Sequence, residues 1–152
     1  MVRQVKPRQL LCRVGVFLIG TAASIGSLIV VACNVHPADN IPLIRITLIP
    51  PAVEGGPIVT YSIVGVVERV DFAAYKVVVY AHAGDSWWVQ PYADAPMTHI
   101  GKDGKWRTVT HGGHQYAALL VKKEYHPDAI TRTLPATDDD VVAIDLEDGK
   151  SQ

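Results

Sequence analysis

Few side chains in this sequence stand at spacings that chemistry uses. His111-Gly112-Gly113-His114 sets two imidazoles three residues apart, with His82, His99 and His126 as the other histidines beyond His36. Zinc takes three or four ligands, and without a thiolate the set would have to be filled by imidazole or carboxylate. On a flexible Gly-Gly loop the two histidines read as surface polar residues, and no metal is expected. Asp138-Asp139-Asp140 offers oxygens suited to calcium but lacks the spaced ligands and glycine of a binding loop, so a solvated turn is the expectation. Asp85 and Asp94 are carboxylates of the kind that glycoside hydrolysis pairs across a bond, yet a sequence supplies no distance between them. There is no Gly-x-Ser-x-Gly elbow, no phosphate-cradling glycine loop and no triad context for the serines. The reading is a protein that is not an enzyme and has no catalytic residue and no cofactor.

The aromatic residues form a better candidate site. All three tryptophans fall between Trp87 and Trp106, with Tyr80 and Tyr92 nearby in the chain. Trp87 and Trp88 are adjacent, so in a strand their side chains leave opposite faces. At most one faces a given core; the other is covered by a loop, lies in a second interface, or is offered to solvent, where it stacks on a sugar ring or anchors a protein contact. Trp87, Trp88, Tyr92 and Trp106 are therefore the candidate ligand-binding set. A purely structural reading competes with it: one tryptophan fills a core, the other packs under the loop at 91–98, and Trp106 braces a hairpin at Asp103-Gly104.

The elements that must position these rings read as strands. Runs rich in Val, Ile, Thr and aromatic residues occupy 43–49, 58–67, 75–82, 87–90, 106–110, 116–121 and 141–146, and no helical period competes beyond the N-terminal stretch. Residues 75–81 are apolar on both alternating faces except at Lys76, the pattern of a central strand covered on both sides. Asp103-Gly104 signals a two-residue hairpin, and Pro50-Pro51 with Gly55-Gly56-Pro57 a loop. The fold class is all-β: a single antiparallel β-sandwich, immunoglobulin-like in architecture, with a small barrel as the alternative.

The N-terminus has a different composition. Arg3, Lys6, Arg8 and Arg13 precede twenty uncharged residues that end at Cys33, a length that also suits a membrane-spanning helix. The ending Val30-Val31-Ala32-Cys33 resembles the signal of bacterial lipoproteins, although leucine is commoner than valine at the first of these positions and the apolar stretch is long. The resemblance implies cleavage before Cys33 and lipidation of its thiol, which anchors the exported chain in the cell membrane or an outer membrane. The alternative is an uncleaved single-pass signal anchor, which by the positive-inside rule also places the C-terminal domain outside. The domain reading is then a signal peptide or anchor helix at 1–32, a lipidated cysteine and tether at 33–42 with a reach of about 30 Å at about 3.3 Å per residue, a sandwich at 43–147 and a tail at 148–152. The leader carries four of the fourteen basic residues and Cys12, so the body from Cys33 has ten Lys and Arg against fifteen acids, a net charge of −5, and no cysteine other than Cys33. Nucleic acid is not an expected partner of such a surface. A domain without disulfides has to be held by its core, for which 120 residues suffice.

One further resemblance spans about 58–146. Tyr75-Lys76-Val77-Val78-Val79-Tyr80, Trp87-Trp88-Val89-Gln90-Pro91, Ile100-Gly101-Lys102-Asp103-Gly104-Lys105-Trp106 and Tyr116-Ala117-Ala118-Leu119-Leu120-Val121, in that order, are similar to a β-sandwich module of bacterial secreted proteins. Glu124-Tyr125-His126-Pro127 keeps the tyrosine and proline, but not the glycine, of an element that follows in that family. The resemblance implies an accessory role beside carbohydrate-active or surface proteins and supplies no mechanism. Two functions are expected from these readings. One is a membrane-anchored binding module that presents aromatic residues to glycan; the other is a structural or assembly protein of the cell envelope that contacts a partner protein.

Overall fold

The computed structural model describes residues 40–151. The leader, Cys33 and the tether as far as residue 39 lie outside the described residues, and with them the expected signal, anchor helix and lipidation site. Among the described residues no helix is long and apolar enough to cross a membrane.

The described chain is all-β and antiparallel. Its strands are β1 (Leu43–Leu48), β2 (Thr60–Glu68), β3 (Tyr75–Ala83), β4 (Ser86–Gln90), β5 (Met97–Thr98), β6 (Lys105–His111), β7 (Gln115–Lys122), β8 (Ile130–Thr131) and β9 (Val141–Asp148). A three-stranded sheet runs β1-β2-β6, and a larger sheet runs β8-β4-β3-β7-β9. β5 pairs with Val77 and Val78 on the edge of β3 that β4 occupies further along, so β4 and β5 form one interrupted edge. The expected seven strands are all present. β5 and β8 are additional, and at two residues each they are too short for a period to announce them.

Strand alternation divides the apolar residues between two cores. Val77, Val79 and Ala81 of β3, with Ala118 and Leu120 of β7, face Ile44, Ile46, Ile63, Val67 and Trp106 of the smaller sheet. The intervening Val78 and Tyr80 of β3 and Leu119 and Val121 of β7 line the opposite face, where Met97, Tyr125 and Leu134 pack against them. The segment that closes this second face, residues 123–140, has only β8 as regular structure. β3 is therefore covered on both sides, as its unbroken apolar run requires.

Glycine determines how Trp106 fits. Gly65 pairs directly with Trp106, and a Cβ there would strike both the indole and the Arg45 carbonyl. The ring lies across the space left by the missing side chain and is 2% exposed; its Nε1 is buried without a partner. Trp106 thus fills the space between the sheets. The turn before it also differs from the two-residue hairpin that Asp103-Gly104 suggests. Gly104 N donates to Gly101 O at 3.0 Å, Gly101 N donates to Lys105 O at 2.8 Å, and Gly104 has φ 77°. The loop is Lys102-Asp103-Gly104, a turn closed by a left-handed glycine, which is the three-residue solution to the same chain reversal.

The two ends of the strand array are unequal in their connections. At one end β1 begins, opposite Glu68, and the 101–105 turn closes. At the other, the β1–β2 connection is tied down: Val53 N donates to Gly113 O, Ala52 N to Lys150 O, and Lys150 N to Pro50 O. Tyr116 Oη donates to Pro51 O at 2.8 Å and accepts from Gly113 N at 3.0 Å. Burial pushes the Tyr116 phenol above its ordinary pKa, with the Gly113 hydrogen bond opposing that shift.

Candidate functional site

The pairing of β3 with β4 decides which tryptophan meets solvent. Trp87 is opposite His82 and Trp88 opposite Ala81, so Trp88 shares the inter-sheet face with Ala81 while Trp87 shares the other face with Tyr80. A three-stranded layer over a wider sheet leaves part of that sheet uncovered. β1 lies against β9 and β7, β6 lies against β3 and meets β4 at its edge, and β4 extends past this cover. Trp88 points into the uncovered strip and is 44% exposed, whereas Trp87 is 8% exposed beneath the 123–140 segment. The His82 ring packs on Trp87 with centroids 4.8 Å apart.

The overhang forms one wall of a cleft of about 690 Å³ at the end of the molecule remote from the start of β1. This volume lies within the range of small-molecule sites. The opposite wall is the tied β1–β2 connection at Gly55, Gly56 and Pro57. Ala81 and Ala83 line the cleft from β3; a larger side chain at either would reduce it. Gly84 and Asp85 turn the chain between β3 and β4, with glycine at φ 65° in the first central position as a type II′ hairpin needs. Beyond β4 a cis peptide joins Gln90 to Pro91, and Tyr92, 56% exposed, reaches the cleft from the loop that follows.

Its polar groups are few and held. Trp88 Nε1 donates to Ala83 O at 3.4 Å, which fixes one edge of the indole. Gln90 is buried; its Nε2 donates to Trp88 O at 3.1 Å and its Oε1 accepts from His111 N at 2.9 Å. His111 Nδ1 lies 2.9 Å from the same oxygen, and the edge of the ring meets Tyr92 with centroids 5.9 Å apart. Among the described residues Glu54 is the single formally charged side chain along the cleft.

Of the four aromatic candidates, the structure therefore brings Trp88 and Tyr92 together at one site. Trp87 and Trp106 are in the two cores and do not line the cleft. Gln90, Ala81 and Ala83 were not singled out by residue type, and His111 was weighed only as a metal ligand or a surface polar residue, not as part of this cleft. The available signal is that Ser86-Trp87-Trp88-Val89-Gln90 returns a polar residue to the face that Trp88 occupies.

The other groups with chemical potential are separate. Gly112 and Gly113 are buried rather than flexible: a Cβ at Gly113 would lie 2.8 Å from His82 O, and one at Gly112 would lie 3.0 Å from Glu54 O. The two histidines they join diverge, His111 into the cleft and His114 toward Glu54, at 3.8 Å. His99 Nδ1 is 3.3 Å from Lys76 Nζ, and among the described residues no three His, Cys, Asp or Glu side chains gather as a metal site would require. Asp138 accepts from Val141 N at 2.7 Å and Asp140 N at 2.8 Å, and these two bonds hold its carboxyl below the ordinary value. Asp85 accepts from the Ser86 hydroxyl, and Asp94 is exposed on the 91–96 loop. No family model, curated protein or solved structure matches the chain.

Proposed function

We propose that this chain is an exported lipoprotein, anchored to the membrane through Cys33, whose immunoglobulin-like β-sandwich is a non-catalytic accessory module that binds glycan in the Trp88–Tyr92 cleft. The single observation that carries the binding site is a half-exposed Trp88, held by its Nε1 against the backbone, in an open cleft that also holds an exposed Tyr92. Aromatic rings offer an apolar face to the C–H face of a sugar, and a ring already fixed loses little freedom when the ligand arrives.

The immunoglobulin-like assignment is supported by the order β1-β2-β6 facing β4-β3-β7-β9 and by Tyr116, which at the start of β7 holds the backbone three residues upstream as a tyrosine corner does. The lipoprotein assignment rests on the N-terminal charge, the apolar run and the Val30-Val31-Ala32-Cys33 ending. A protein-contact role is the second reading, favoured by Ile58 at 92% exposure beside the cleft wall.

Two measurements test the proposal. The intact mass of membrane-extracted protein should match a chain beginning at a diacylglyceryl-modified Cys33; a mass retaining residues 1–32 without lipid would refute the anchor. Retention of the protein on immobilised glycans should be lost in Trp88→Ala and kept in Arg107→Ala, a change on the exposed face of β6. Equal retention of both variants would remove the cleft from the glycan reading.

A further inference from the structure

The cleft contains a polar arrangement that stacking on an aromatic ring does not require. Gln90 has partners at both ends of its carboxamide, with Nε2 on Trp88 O and Oε1 on His111 N. Turning the amide over would set its oxygen against a carbonyl and its NH2 against an N–H, so the neighbours fix one orientation. His111 Nδ1 then lies 2.9 Å from an oxygen that can only accept, and a neutral ring must carry its hydrogen on Nδ1. The lone pair remains on Nε2. Among the described residues that atom has no hydrogen-bond partner, and it is not one of the buried unpartnered atoms, of which Trp106 Nε1 is the example.

The position is held from several sides. The His111 backbone N–H and Nδ1 converge on one buried oxygen, and the Tyr92 ring stands at 71° to the imidazole. A second-neighbour hydrogen bond that selects the tautomer and aims the free nitrogen is how proteins prepare a histidine to meet a ligand. Its surroundings also select the ligand's charge. Among the described residues no Lys or Arg lines the cleft, and Glu54 is exposed at the rim, so none of them compensates an anionic group.

We propose that His111 Nε2 is the polar anchor of the cleft, accepting a hydrogen bond from a hydroxyl of a neutral oligosaccharide whose ring lies against the Trp88–Tyr92 wall. The assignment rests on the glycan-binding reading and adds to it a specificity residue, its tautomer and a ligand class. Gln90 is a positioning residue, acting through the imidazole.

The test uses the full chain in detergent micelles, titrated calorimetrically with neutral hexaoses of glucose, mannose and N-acetylglucosamine, with an acidic oligosaccharide and with an extended peptide as competing classes. A neutral hexaose should bind; Trp88→Ala should abolish binding, and His111→Ala should weaken it by about five- to tenfold, the loss of one neutral hydrogen bond, while the variant stays folded, its melting temperature lowered by no more than the loss of its bond to Gln90 accounts for. A deoxy analogue lacking the donating hydroxyl should show that same loss with the unaltered protein and none with His111→Ala. Long-range ¹H–¹⁵N spectra should place the hydrogen on Nδ1 of His111, independently of any ligand, and a hydrogen on Nε2 in the neutral ring would overturn the proposal. If Trp88→Ala abolishes binding while His111→Ala binds as the unaltered protein does, the anchor is overturned and the glycan reading stands. If only the acidic oligosaccharide or the peptide binds, or nothing does, both fall.

Discussion

Along β3 and β7 both faces of the larger sheet are buried, but they are covered by different means. One is closed by a second sheet, whose strands contribute Ile44, Ile46, Ile63, Val67 and Trp106 in register. The other is closed by residues 123–140, which contribute Tyr125 and Leu134 with little regular structure, while Tyr80 Oη donates to Asp128 O at 2.8 Å. Burial, with Tyr125 and Asp128 nearby, pushes the Tyr80 phenol far above its ordinary pKa. A sheet covers by many backbone bonds shared along its length. An irregular segment is held by a few side chains, and each of those can be removed alone. The first face should therefore fail globally and the second locally.

The largest effect is expected at the sheet-on-sheet face. Trp106→Ala leaves the space over Gly65 empty and should reduce unfolding free energy by about 3–5 kcal/mol, read by chemical denaturation. A loss under about 1 kcal/mol would mean that the two sheets collapse onto the gap and the first face is not rigid. On the second face Tyr80→Phe should lower stability by about 1 kcal/mol, with faster amide exchange across 123–140 and unchanged exchange in β1 and β2. Uniform acceleration in all strands would show that the irregular cover unfolds together with the sheets, and the distinction between the faces would disappear.

These two faces also explain what the sequence could reveal. The strands that build the inter-sheet core were legible from their Val, Ile, Thr and aromatic content, and in β2 and β6 burial follows the period of two that the pleat imposes. The double burial of β3 was legible for the same reason, since Val77 to Ala81 leaves no polar residue for a solvated face. The identity of the second cover was not legible, because Tyr125 and Leu134 sit in a segment without period and only the tertiary fold brings them under Trp87. The site divided along similar lines. That Trp87 and Trp88 must separate follows from strand geometry; which of them reaches solvent depends on how far β6 extends over β4, a matter of sheet width that no local pattern encodes. Gln90 and His111 meet across 21 residues, a pairing created by the register of two sheets.

Acid provides a smaller and more local comparison at the end of the irregular cover. Asp138 receives the Val141 and Asp140 N–H groups, and those bonds, the former larger, lower its pKa below the ordinary 3.8. A folded value below the unfolded one gives stability that is present above the unfolded value and is lost as pH falls through the folded one. The melting-temperature gap between the unaltered protein and Asp138→Ala should thus be constant at neutral pH and close in acid. A gap that stays open after every carboxyl is protonated would assign the effect to shape at the start of β9 rather than to charge.

The smallest effect on stability, and the sharpest comparison, lies between neighbouring residues of β4. Trp87 and Trp88 have the same side chain and adjacent backbone positions, so strand propensity cannot distinguish their replacement by alanine. Only their surroundings differ. Trp87→Ala removes a ring from the second core and belongs with large-to-small core changes, costing about 3 kcal/mol. Trp88→Ala removes a ring already half in solvent and a 3.4 Å bond to the exposed turn, so its melting curve should fall within about 0.5 kcal/mol of the unaltered protein. Denaturation of both variants under one condition measures that difference directly. A Trp88→Ala loss as large as that of Trp87→Ala would mean that the overhang of β4 is closed in solution, and the cleft would then have no aromatic wall to offer a ligand.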